Sequence, residues 1–395
     1  MTMAAVIERR TAEAPARSRD SRIASVEIIP DLASAEPAWR QLEAQGQLST
    51  PYQRFDLLSH WYREVGAREN AAALVVVARD GERRPLLLLP LVLEAWHGLR
   101  LACFMGGKHT TFNMALWDAE FARQATLADL TALLAPLRAQ SAADVLALTQ
   151  QPRHWRDVLN PFALLPRQPS VNDCPVLAIA PGAAPTDLLS NSFRRRLKGK
   201  ERKLQASGYR YHVASSDADI DRLLDWFFRV KPLRMAEQKL PDVFAEPGVE
   251  QFIRGACRAP LPGGGRAIDI HALECDEEVI AIFAGVADGA RFSMMFNTYT
   301  LSERARYSPG LILMRSIIDR HAEQGYRALD LGIGSDDYKR MFCKDDEPIF
   351  DSFIPLTLRG RLAAPAMSGL NRTKRMVKRN QTLLNLAQKL RHTFR

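Results

Sequence analysis

Short apolar runs alternate along the chain with longer segments whose apolar residues return every three or four positions, and the whole alternation occurs twice. In the first half a strand is expected at residues 26–29. Helices come next at 38–45, carrying Trp39 and Leu42, and at 55–65, carrying Leu58, Trp61, Tyr62 and Val65 at helical spacing. The apolar runs 74–78 and 86–93 flank Arg79-Asp80-Gly81-Glu82, where the Asp-Gly pair marks a hairpin. A strand at 99–105, a Gly106-Gly107 turn, a helix from about 120 to 140 and a strand at 145–149 complete an α+β unit. Prolines crowd residues 161–185, which read as a connector with one strand, 175–179, inside it.

The second half repeats this order. A helix at 186–207 and a strand at 209–213 precede helices at 218–229 and 248–258. Gly263-Gly264-Gly265 then breaks the chain before strands at 267–274, 279–286 and 291–300. A helix at 311–324 closed by Gly325, a strand at 327–331, a short helix at 336–342 and a strand at 352–358 complete it. Hairpins, a crossover helix and a further strand in both halves point to an internal duplication too diverged to show as identity.

Composition narrows the class. A chain of 395 residues, 47% hydrophobic and 25% charged, suits two globular domains. The five cysteines are far apart and nowhere form a C-x-x-C pair, so neither a disulfide framework nor a metal site is expected, and a reducing, cytoplasmic setting fits. The longest apolar run, residues 85–93, is too short to cross a membrane, and residues 1–21 read as a leader without periodicity. The net charge of +9 belongs to one end. From Arg359 onward there are ten Lys or Arg and no Asp or Glu, against 44 basic and 45 acidic residues before it.

The richest stretch for chemistry is 299–324. A polar loop with Arg304 and Arg306 leads into Ser308-Pro309-Gly310-Leu311 and an apolar helix. Ser308 is expected to cap the helix, Pro309 suits its first position, and Gly310 lets a ligand approach the backbone. A helix amino end beside two arginines is an anion site in the making, and equally the start of an ordinary capped helix. The segment 194–203, with seven basic residues and one acid, Glu201, either holds an anionic ligand or is a solvated helix face.

Ser308-Pro309-Gly310, Asp330-Leu331-Gly332-Ile333-Gly334 and the pair Tyr338-Lys339 together resemble the GNAT-type acetyltransferases of the CelD-like family, named for an association with bacterial cellulose biosynthesis. Phe193 to Lys198 and the segment 226–234 are also similar to that family. The resemblance implies an α+β fold of two tandem GNAT-like domains with mixed sheets flanked by helices: 22–181 non-catalytic, 182–360 catalytic, 361–395 a basic tail. It implies acyl-CoA (acetyl-CoA) as co-substrate and no metal, with Arg304, Arg306, Ser308, Gly310 and Leu311 as its binding residues. By the same resemblance Tyr338 is the general-acid candidate, with Asp330 placed to orient Lys339 or a substrate amine; a packing tyrosine and a turn-capping aspartate are the plainer alternatives.

The widespread GNAT loop of Arg or Gln, two variable residues, then Gly-x-Gly or Gly-x-Ala is missing; only Arg306 and Gly310 keep its chemistry. Fem-type peptidoglycan aminoacyltransferases share the tandem plan, which leaves aminoacyl-tRNA open as donor. A silent scaffold of a polysaccharide synthase complex is the reading from outside the enzymes. The implied acceptor is a small molecule or glycan linked to the envelope or to exopolysaccharide. His271, Glu303 and Asp330 each qualify as general base. In the tail, apolar residues from Met376 to Phe394 recur on one helical face among basic residues, which fits a peripheral membrane contact through residues 372–395 as well as packing on the body. Nucleic acid is a poor fit, because the rest of the chain is neutral and carries no base-reading module.

Overall fold

The computed structural model describes residues 21–205, 208–334 and 337–380. In the first half, β1 (Ser25–Ile29), α1 (Leu32–Ala44) and α2 (Phe55–Trp61) precede the antiparallel strands β2 (Ala72–Arg79), β3 (Pro85–Trp96) and β4 (Leu99–Phe104). Next come α3 (Ala119–Gln124), α4 (Leu127–Gln140), β5 (Val145–Pro152), the two-residue β6 (Gln168–Pro169) and β7 (Cys174–Ala178). The second half runs α5 (Asn191–Gln205), β8 (Arg210–Val213), α6 (Asp217–Glu237), α7 (Val249–Arg258), β9 (Asp269–Cys275), β10 (Glu278–Ala287) and β11 (Arg291–Tyr299). It closes with α8 (Pro309–Glu323), β12 (Ala328–Asp330), α9 (Asp337–Phe342), β13 (Asp345–Glu347), β14 (Ile349–Pro355) and α10 (Leu358–Arg379).

The expected pair of α+β units is present, each a mixed sheet flanked by helices. One sheet has the order β1-β2-β3-β4-β5-β14-β6 and the other β8-β9-β10-β11-β12-β7-β13. The two orders correspond strand for strand, including, among the described residues, a single parallel pair in each, β4 with β5 and β11 with β12. The duplication is thus visible as topology. Each sheet nevertheless takes its sixth strand from the other half of the chain. The strand expected at 352–358 pairs with β5 in the first sheet, and the strand expected inside the connector lies between β12 and β13 in the second. A strand's periodicity records which faces it buries, not whose edge it joins, so the exchange has no local signature.

The two parallel pairs differ in the path the chain takes past their last paired residues. β11 continues six residues past Ser293, the last residue it pairs with β12, to Tyr299. β4 stops at Phe104; the chain detours and returns as Leu116–Trp117 against Leu87 and Leu88 of β3. Asn113 sits in the detour, its N–H donating to the carbonyl of Gln150 and its side-chain amide to that of Thr149. In the first unit, backbone and side chains therefore fill the ground that the second unit leaves open.

The described part of the tail is helical and begins earlier than expected, at Leu358. Gly360 and Ala364 press it against the first sheet, and Arg372, Arg375 and Lys378 bond to Gln168, Ser170, Asp173 and Asn172. Its outward side carries Leu358 and Leu362, 76% and 83% exposed. Residues 381–395, where most of the expected apolar tail face falls, lie outside the described residues. Among the described residues no helix is long and apolar enough to cross a membrane.

Candidate active site

The site grows from the parting of two parallel strands. β11 and β12 pair only through Arg291–Ser293 against Ala328–Asp330. Beyond Asp330 the chain turns away through Gly332 and Gly334, at φ 74° and 100°, a left-handed path that a side chain would strain. On the other flank the β10–β11 register shifts at Ala284/Gly285, so Met295 is an extra residue and β11 bends there. A cleft of about 770 Å³ fills the opening.

Its mouth is the amino end of α8. Ser308 occupies the cap position, but at φ 58° and ψ 53° it is left-handed and its hydroxyl caps nothing. The capping expected from the Ser-Pro sequence therefore fails, because capping needs extended backbone to aim the oxygen at the first turn. Instead the Ser308 hydroxyl accepts a hydrogen bond of 2.7 Å from Lys200 Nζ on α5. Gly310 and Leu311 line the cleft beside it. Tyr299 backs Gly310, and the Arg234 guanidinium from α6 lies 3.5 Å from the centre of the Tyr299 ring. Among the described residues no carboxylate pairs with Arg234.

Lys200 and Arg234 thus stand where Arg304 and Arg306 were expected. Arg304 is held by Asp276 at 2.7 Å and by Glu278, and Arg306 by Glu303 and the Tyr307 hydroxyl; neither lines the cleft. The sequence offered Lys200 only as one of seven basic residues in a helix, and Arg234 only as the last residue of the segment 226–234. Both come to α8 from elements far away in sequence. The other basic residues of α5 are exposed, except Arg194, which is buried against Asp319.

Deeper in, Tyr338 lines the cleft, and its hydroxyl accepts a hydrogen bond from Asn297 at 3.4 Å. Lys339 is buried alongside, Nζ donating to the carbonyls of Ile333 at 2.9 Å and Gly332 at 3.2 Å. Asp330 does not join them. It is fully buried and receives Arg291 Nε at 2.9 Å, the Ser293 hydroxyl and the Gly332 N–H, on the closed side of the strand pair.

The other base candidates also lie elsewhere. Glu303 is exposed and bound to Arg306. His271 is buried, accepts from or donates to the Tyr211 hydroxyl at 2.9 Å, and packs on Phe292 and His321; burial holds its pKa well below the ordinary value. Among the described residues lining the cleft there is no Asp or Glu. The imidazole that does line it is His109, from the first unit. The Trp61 indole N–H donates to its Nδ1 at 3.1 Å, so the ring proton sits on Nε2. Burial, aided by Lys108, lowers its pKa to about 4. It is a neutral donor at pH 7, and the sequence marks its neighbourhood only by the Gly106-Gly107 turn.

Residues 191–340 match the family described as acetyltransferase (GNAT) domain, and this domain makes the chain an acyltransferase. Among solved structures the fold is similar to FemX, at 11% identity and a TM-score of 0.54, covering 83% of this chain and 96% of that one. A conserved protein of unknown function from Bacteroides thetaiotaomicron aligns at 11% identity and 0.52, over 84% of this chain and all of that one. The C-terminal domain of a candidate lysylphosphatidylglycerol synthetase from Agrobacterium fabrum aligns at 11% and 0.50, over 86% and 96%. These likenesses concern the fold. No curated protein matches the sequence.

The buried imidazoles set an acid limit. His321, bonded to the Ile317 carbonyl at 2.8 Å and packed on Phe292 and Tyr326, is pushed by burial from 6.5 to about 4. Between those values the unfolded chain binds the proton and the folded one does not, so stability falls as pH drops from about 6.5 to 4. Urea unfolding across that window should show the fall, and His321→Phe should make it shallower. An unchanged slope in the variant would mean that His321 is not one of the groups responsible.

Proposed function

We propose that this acyltransferase takes its acyl group from acyl-CoA, bound with its pyrophosphate at the amino end of α8 and its pantetheine between β11 and β12. The observation that carries the reading is that Lys200 bonds the Ser308 hydroxyl and Arg234 stacks on Tyr299, which backs Gly310, beside a cleft formed by two parting parallel strands. Helix N–H groups and two cations favour a dianion there. Of the residues expected from sequence, Ser308, Gly310 and Leu311 fit this mouth directly. Arg304 and Arg306 contribute to it only as part of the loop that shapes Ser308.

In the proposed reaction an acceptor amine, or a hydroxyl, attacks the thioester carbonyl and the carbon–sulfur bond breaks. Tyr338 protonates the departing thiolate, and Lys339 pins the Gly332–Ile333 turn that borders the reacting centre. Asp330 acts at one remove, by fixing the strand pair. The acceptor proposed is linked to the envelope or to exopolysaccharide, a reading supported by the CelD-like motifs alone. Aminoacyl-tRNA as donor is the second reading, supported by the likeness of the whole fold to FemX. Release of free thiol with acyl-CoA, and none of deacylated tRNA, separates the two. We also propose peripheral attachment to an anionic bilayer through α10 and the residues after it, supported by the outward Leu358 and Leu362 among basic side chains.

Coenzyme A should raise the melting temperature by mass action. A Cβ at Gly310 would meet Tyr299 only at 3.7 Å, so Gly310→Asp can fold, and its negative charge should abolish the shift. A shift retained in the variant would remove the phosphate site from α8. Tyr338→Phe should lower kcat by roughly a hundredfold with donor affinity nearly intact; wild-type turnover from pH 6 to 9 would reduce Tyr338 to packing. Full-length protein should sediment with anionic liposomes at low salt and be partly released by salt, while Leu358→Glu/Leu362→Glu should stay in the supernatant. Equal sedimentation of both would show that α10 does not make the contact.

A further inference from the structure

We infer that the inner arm of the cleft is an acyl-chain channel, and that the donor is a medium- or long-chain acyl-CoA rather than acetyl-CoA. The inference rests on the acyl-CoA reading above and goes beyond it in naming the chain.

The arm begins where β11 bends at Met295 and extends over the face of the sheet covered by α6 and α7, away from α8. A pantetheine threaded from the α8 side between the parted strands delivers its thioester to this face. Six large apolar side chains gather there, Phe296 of β11, Met235 of α6, Phe244 of the loop after α6, and Val249, Phe252 and Ile253 of α7, with Lys108, Lys231 and Gln238 in the same lining. Met235 is unbranched and adapts to a chain of variable shape. Two cations of the cleft are engaged by its walls. Lys231 donates to the Asn297 carbonyl and lies 5.6 Å from the Phe244 ring centre, and Arg234 stacks on Tyr299.

Two features argue for a chain and against an acetyl group. An acetyl group ends within a bond or two of the thioester, and the apolar wall continues well beyond Phe296. The far end is also open: Leu240 and Val243, 52% and 42% exposed, border the cleft where it reaches solvent. A channel with an apolar floor and an open end holds chains of several lengths and lets the longest emerge. His109, neutral and 6.0 Å from the Phe252 ring, adds no charge to the wall.

The test is calorimetric titration of the full-length protein with coenzyme A, acetyl-, octanoyl- and lauroyl-CoA, without acceptor. Complete burial strengthens binding by about fourfold per methylene, so octanoyl-CoA should bind at least about a hundredfold tighter than acetyl-CoA even with partial burial. Val243→Glu, at an exposed position that tolerates charge, should weaken binding by a factor that grows with chain length. Affinity independent of chain length, with coenzyme A itself bound, overturns the channel and leaves the arm to an apolar acceptor. An equal loss for every donor in Val243→Glu overturns it too. Failure of coenzyme A and of all its thioesters to bind sinks the acyl-CoA reading, and the channel with it.

Discussion

The cleft depends on one buried ion pair. Arg291 and Asp330 meet at 2.9 Å at the end of the short stretch in which β11 and β12 run together, and Asp330 is fully buried. Arg291 also reaches Glu347 of β13 at 2.7 Å, while its guanidinium lies 4.6 Å from the Phe112 ring centre and 4.9 Å from that of Trp155. One side chain thus joins two strands of the second sheet to a third and to aromatic rings of the first unit. Such a pair gains little over a well-packed apolar pair, but removing one partner strands the other charge and costs about 3–5 kcal/mol. Its value here is positional. By locking the strands at one end, it allows them to part at the other without fraying.

The exchange of sixth strands makes this local lock a property of the whole chain. β7 lies hydrogen-bonded between β12 and β13, and β14 closes the first sheet against β5. Neither half can complete its own sheet. The two units therefore form together or not at all, which fixes the loop at residues 108–111 against the second unit's cleft. The first unit's own parallel pair is filled by the detour through Asn113.

The order of elements was legible because periodicity is local: nearly every strand and helix lies within a few residues of where the apolar pattern puts it. Partnership was not legible. β14 reads as the last strand of its own half, and nothing in Ile349–Pro355 says that its edge belongs to β5. The same limit governs the site. Ser308-Pro309-Gly310 and Tyr338-Lys339 stand out because each group is contiguous, whereas Lys200, Arg234 and His109 acquire meaning only when three distant elements converge. One reading failed at the backbone: Ser308 looks like a cap in one dimension and is left-handed in three. Of the two roles open to Asp330, the structure has the turn-capping one, its carboxylate accepting the Gly332 N–H and turning to Arg291 and not to Lys339.

The lining of the cleft bears on the proposed chemistry. A carboxylate would be the obvious acceptor of the amine's proton, yet none lines the cleft among the described residues, and Lys231, Arg234 and Lys339 do. Positive charge in a partly desolvated space raises the free energy of an ammonium relative to the neutral amine, so the amine's pKa falls on entry. Each unit of that fall is worth about 1.4 kcal/mol toward the reactive form. In the proposed reaction the cleft therefore selects the nucleophile in its neutral state, and the proton released on attack needs only water. The same charge favours the thiolate that leaves, and so eases the demand on Tyr338. On the proposed chemistry such an architecture works by position and field, the two strands holding the thioester still while the cations of the lining choose which protonation states can meet it.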